Sequence, residues 1–127
     1  MKVGYFLVTA NSVKVQKTVN TGNRFSNLKA DSGNSYFILN VSFKNIDKES
    51  RMVLDGDIIF LVDGKEYIFD KSETVLAEGW GLFLDQLNPL TQKTTNLVYK
   101  IPEGLKGKAY YRPGRNADDD RIFLKDF

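Results

Sequence analysis

The chain offers few residue types for covalent or acid–base chemistry. It has no histidine and no cysteine. The first absence removes the side chain that titrates near neutral pH, and with it the commonest metal ligand. The second removes thiolate nucleophiles, thiolate metal sites and disulfides. Ser-His-Asp, Cys-His and His-rich zinc constellations are excluded. Carboxylates remain, 16 of them, and a pair could in principle cleave a glycosidic bond, but sequence sets no distance between them. Asp55-Gly56-Asp57 and Asp118-Asp119-Asp120 carry oxygens that suit calcium. The first lacks the ordered carboxylate spacing and closing Glu of a calcium loop, and Asp beside Gly also favours a turn. The second reads as a solvated loop or a local match for Arg115 and Arg121. No catalytic residue, metal or cofactor is assigned, and the expectation is a noncatalytic protein.

Recognition chemistry has two candidates. Trp80 stands between Gly79 and Gly81. Small neighbours can leave a ring face open to a sugar or peptide. Equally, flexible glycines can let a tryptophan turn into a core. Tyr110, Tyr111 and Arg112, with Lys106, Lys108 and Arg115, form a basic-aromatic cluster that could meet an anionic polymer through charge and stacking. One of two adjacent tyrosines usually faces inward, and the cations can simply keep an edge strand soluble. Trp80, Tyr110, Tyr111 and Arg112 are the candidate ligand-binding residues. The formal net charge of +2 is too small to imply a nucleic-acid partner.

These side chains need a scaffold. At 127 residues the chain is read as one domain, 1–127, large enough for a core without staples. Nine Phe and six Tyr suit strands. The clearest element is Tyr36 to Asn45. Phe37, Leu39, Val41 and Phe43 alternate with Asn40, Ser42 and Lys44, which predicts a central strand with one face on a core and one in water. Gly4 to Lys17 reads as one long or bent strand, apolar on both faces up to Ala10 and alternating Val13 and Val15 with Lys14 and Gln16 after Asn11-Ser12, and Thr18 to Leu28 as a loop or hairpin tip. Arg51 to Leu54 is a short edge strand. Ile58 to Val62 is a continuous apolar run, as at a sheet centre. Asp63-Gly64 signals a two-residue hairpin returning through Lys65 to Phe69. Ser72 to Glu78 suggests one or two helical turns, stopped at Gly79, with a strand over Trp80 to Leu84. Lys93 to Ile101, Ala109 to Arg112 and Arg121 to Lys125 complete the set. Turn signals between short strands predict an all-β, antiparallel β-sandwich of seven to nine strands.

The order of these motifs resembles a known group. It runs from Val3-Gly-Tyr-Phe-Leu-Val-Thr9 through Gly33-Asn-Ser-Tyr-Phe-Ile-Leu-Asn-Val-Ser-Phe-Lys-Asn45 and the hairpin at Phe60 to Tyr67. It continues with Leu87-Asn-Pro89 and Leu97-Val-Tyr-Lys-Ile-Pro102. This is similar to the telokin-like, immunoglobulin-fold domains of bacterial lipoproteins and secreted antigens, related to the mycobacterial immunoprotective extracellular protein. The resemblance covers nearly the whole chain. It implies an immunoglobulin-like fold and export, and it carries over no enzymatic activity and no functional residue. In that group a glycine commonly follows the proline of the Asn-Pro turn; Leu90 stands there. Members often carry a lipid-attachment cysteine near the start; this chain has none.

The functional expectation is a noncatalytic binding or accessory module of the bacterial cell envelope. Its partner would be a protein or a cell-envelope polymer, met through loops or by strand addition at a sheet edge. Two alternatives stand beside it. One is a carbohydrate-binding module using Trp80. The other is a cytoplasmic or phage-encoded interaction protein, because Val3 to Ala10 reads as a strand rather than a signal segment. No apolar run approaches the ~20 residues of a membrane-spanning helix.

Overall fold

The computed structural model describes residues 1–82 and 85–127. Its strands are β1 (Lys2–Val3), β2 (Phe6–Gln16), β3 (Thr18–Val19), β4 (Leu28–Lys29), β5 (Asn34–Asn45) and β6 (Arg51–Met52). After them come β7 (Asp57–Val62), β8 (Lys65–Phe69), β9 (Gln86–Leu87), β10 (Gln92–Pro102), β11 (Lys108–Arg112) and β12 (Ile122–Asp126). No helix occurs among the described residues. Two four-stranded sheets, ordered β1-β2-β5-β10 and β12-β11-β7-β8, form the sandwich, and all their pairings are antiparallel. In immunoglobulin terms β2, β5 and β10 stand where A, B and E do, and β12, β11, β7 and β8 where G, F, C and C′ do. Two short pairs, β3-β4 and β6-β9, lie outside the main sheets.

β5 is the centre, paired along its length with β2 on one side and β10 on the other. Phe37, Leu39, Val41 and Phe43 all enter the inter-sheet core, with Ile58, Phe60, Ala109 and Tyr111 opposite. The interrupted alternation of β2 has a physical cause. A bulge at Asn11 lets Ala10 face Val41 and Ser12 face Asn40, so inward positions change from even to odd and the core side stays apolar.

The outer face of β5 departs from the expected half-solvated surface. Tyr36 and Ile38 are each only 5% exposed. They belong to a second, smaller cluster with Val19, Val75 and Val98, onto which Leu28, Ala30, Ala77 and Trp80 pack. The cover is made by the β3-β4 pair and the 72–81 segment. That segment carries no helical turn. It follows the outer edge of β10 and turns at Ala77–Trp80, with an antiparallel bridge from Ser72 to Tyr99 and a parallel one from Trp80 to Asn96. An uncovered Val98, Ile38 and Tyr36 would cost apolar burial, and this burial outweighs the modest helical propensity of Ser72 to Glu78. Of the strand expected over Trp80 to Leu84, Phe83 and Leu84 lie outside the described residues.

The hairpin at Asp63-Gly64 is as its residues require, with φ of 50° and 79°, the paired positive values of a type I′ turn.

Candidate functional site

The four candidate residues do not form one site. Tyr111 is fully buried in the inter-sheet core. Its hydroxyl donates to the carbonyl of Asp55, and Tyr99 donates to the carbonyls of Asp55 at 3.2 Å and Gly56 at 2.8 Å. Burial pushes both phenols above their ordinary value, with the nearby acidic residues adding to the effect. Tyr111 therefore anchors the turn before β7 and is withdrawn from any surface role.

Tyr110 points the opposite way, onto the outer face of the β12-β11-β7-β8 sheet. Its ring meets Phe123 edge-on at 5.5 Å between centroids. Arg112 shares that face but is already engaged. Its Nε and Nη2 donate to Asp57 Oδ2 at 3.0 and 2.7 Å, and its Nη1 to Asp119 Oδ1 at 2.9 Å. Asp119 also accepts from Arg121 at 3.0 Å, and Arg121 donates onward to Glu66 at 2.5 Å. An ionic chain thus runs over the sheet from β7 to β8. The hydrogen bonds from Arg112 and Arg121 hold the Asp119 carboxyl below its usual range. The expected match of the Asp triplet to Arg121 is present, with Arg112 rather than Arg115 as its companion. No group of three or more metal-ligating side chains occurs among the described residues.

Trp80 is placed differently. It is half-buried on the outer side of the other sheet, with its inner part on the small cluster. Its neighbours are held rather than loose. Asn96 donates to the Gly79 carbonyl from its backbone N–H at 3.0 Å and from Nδ2 at 3.1 Å. Gly81 N–H donates to the Asn96 carbonyl at 2.8 Å, and Thr95 Oγ1 to the Gly81 carbonyl at 2.7 Å. Gly79 and Gly81 have φ of 82° and 69°, values that favour glycine. The glycines let the chain rise over β10, turn, and return to it.

Beside Trp80 lies a row of polar side chains that sequence reasoning passed over. Asn11 Nδ2 donates to Asn40 Oδ1 and to Ser42 Oγ, each at 2.9 Å. Asn40 Nδ2 donates to Asn96 Oδ1 at 2.9 Å. The row crosses β2, β5 and β10 and ends on the Gly79 carbonyl. Its outward positions were legible at Asn40 and Asn96, but their adjacency follows from the β5–β10 register, which pairs these two residues directly. Trp80 borders two clefts. One, of about 250 Å³, is lined by Ser12, Gln16, Asn20, Asn40 and Asn96, with Ile38 and Lys14. The other, of about 260 Å³, carries Asp55, Ser72, Glu73 and Thr74.

A family model described as a domain of unknown function, DUF4352, matches residues 1–120. The chain belongs to this family. Three solved structures resemble it in fold. An uncharacterized β-sandwich protein from Clostridium difficile 630 has a TM-score of 0.63 at 15% identity, over 98% of this chain and 87% of that one. A conserved hypothetical protein from Bacillus anthracis has a TM-score of 0.64 at 20% identity, over 98% and 90%. The yjhA protein from Bacillus subtilis has a TM-score of 0.59 at 21% identity, over 98% and 94%. At these identities the likeness shows a shared fold. No curated protein matches the chain. The DUF4352 assignment fits the observed immunoglobulin-like sandwich and assigns no activity to the Trp80 surface.

Proposed function

We propose that this DUF4352 chain is a noncatalytic recognition module of the bacterial cell envelope. Its binding face is the outer surface of the β2-β5-β10 sheet around Trp80, and its partner is an envelope polymer. One observation carries this reading. A half-exposed tryptophan is fixed by its two neighbours beside a polar row whose members orient one another. Binding sites commonly pair an apolar wall with a few placed polar groups on a rigid support. The resemblance to domains of bacterial lipoproteins and secreted antigens supports the envelope placement.

Strand addition by a protein partner is the second reading, and β8 favours it. β8 ends its sheet, and Lys65 to Ile68 are all exposed. The outer edge of β10 is already occupied over Asn96 to Tyr99.

The test is co-sedimentation of the purified chain with envelope and cytosolic fractions of its source cell. Envelope retention that is lost in Trp80→Ala supports the proposal. Retention only by cytosolic material overturns the placement, and equal retention of Trp80→Ala overturns the face.

A further inference from the structure

Resting on that reading of the Trp80 face, we infer that the ligand is a neutral, hydroxyl-rich glycan chain, gripped in the amide-lined cleft with a sugar ring against Trp80. The chemistry of the lining decides the class. An amide carries two N–H donors and a carbonyl with two lone pairs. Within the row Asn40 donates once, to Asn96, and accepts once, from Asn11. Asn96 likewise uses one Nδ2 hydrogen, on Gly79, and accepts one bond at Oδ1. Each keeps a donor and an acceptor in hand. The Gln16 amide makes no hydrogen bond among the described residues and lines the same cleft. Sugar hydroxyls also donate and accept at one atom, so paired free donors and acceptors suit them better than either ion would. The orientations of the Asn40 and Asn96 amides are set by their neighbours before any ligand arrives, which lowers the ordering cost of binding.

The charges point the same way. Among the described residues lining it, the amide cleft has no carboxylate and a single cation, Lys14. The cleft on the other flank of Trp80 holds Asp55 and Glu73, which oppose a polyanion threading past the ring. Trp80 itself supplies a wide apolar face, matched by the C–H face of a pyranose.

The test uses the intact chain, whose single tryptophan reports the site. It is titrated with β-1,4-linked gluco-oligosaccharides, with N-acetylglucosamine oligomers, and with poly(glycerol phosphate) as the anionic comparison. The expected result is a saturable change in tryptophan emission with one of the neutral oligomers, unchanged between roughly 50 and 500 mM salt, since screening acts on charge pairs. By calorimetry, Trp80→Ala weakens that binding at least about 10-fold. Gln16→Ala, at an exposed position whose side chain makes no hydrogen bond among the described residues, weakens it roughly 3- to 10-fold with the thermal midpoint unchanged. Binding of poly(glycerol phosphate) alone, abolished by salt and by Trp80→Ala, overturns the glycan class and leaves the recognition face standing. Neutral-glycan binding that survives both substitutions overturns this site. Silence toward every neutral oligomer overturns the inference.

Discussion

Asn96 grips the carbonyl of Gly79 twice, once from its backbone N–H and once from its side-chain amide. The side-chain bond is the one a substitution can remove. Asn96→Ala should cost about 1–2 kcal/mol of stability, a hydrogen bond to Gly79 together with the partner left by Asn40. It should also loosen the ring between the two glycines. The expected readouts are a lower denaturant midpoint and faster acrylamide quenching of Trp80. Unchanged quenching would mean that the backbone bonds alone hold the tryptophan.

The second cluster makes Ile38 a core residue, although it lies on the face of β5 away from the sandwich. Ile38→Ala and Leu39→Ala should each destabilise by roughly 2–5 kcal/mol. Asn40→Ala, on the same face as Ile38 but outside the cluster, should cost roughly 1 kcal/mol. Chemical denaturation of the three variants checks this. A near-zero effect at Ile38 would show that the 72–81 cover contributes no burial.

Tyr99 and Tyr111 converge on the turn before β7, and Tyr111→Phe leaves the Asp55 carbonyl dependent on the longer bond from Tyr99. The expected cost is roughly 1–3 kcal/mol. The double variant with Tyr99→Phe should be non-additive, because both hydroxyls serve one carbonyl. Both phenols titrate above their ordinary value of 10.0 when folded. A raised folded-state pKa contributes stability that is complete below the unfolded value and is lost as pH rises beyond it. Stability should therefore fall above about pH 10. In an absorbance titration these two tyrosines should ionise only as the fold is lost, and the loss should be shallower in Tyr111→Phe.

Leu90 follows Pro89 with a φ of 64° and is 73% exposed, so it stands in the left-handed region with little packing in return. The strain is held by the turn around it: Leu90 N–H donates to the Asn45 carbonyl at 2.8 Å, and Asn45 N–H to the Thr91 carbonyl at 3.0 Å. Left-handed backbone costs a residue with a Cβ roughly 1–2 kcal/mol, and glycine returns part of that gain as chain entropy. Leu90→Gly should stabilise by up to about 1 kcal/mol, seen as a higher thermal midpoint. A lower midpoint would show that the Leu90 side chain packs to greater effect than its exposure suggests.

Much of the sandwich was legible because period-two alternation is local. Phe37 to Phe43, the apolar run at Ile58 and the Asp63-Gly64 turn each state their role within a few residues. The facing of Tyr110 against Tyr111 follows from the same rule. What alternation could not show is what lies above a sheet. Tyr36 and Ile38 look half-solvated until Val75, Ala77 and Trp80 are laid over them, and the covering segment has no period of its own. The amide row was invisible for a related reason. Asn11, Asn40 and Asn96 come from three strands, and they meet only through a bulge and a register that one sequence does not specify.

The path of residues 72 to 81 along β10 has one more consequence. The backbone groups of Asn96 that a visiting strand would need are the groups that hold Gly79 and Gly81. A foreign strand and the seated tryptophan are therefore rivals for one edge, so invasion there must first evict Trp80. The chain carries its own competitor against such templated pairing.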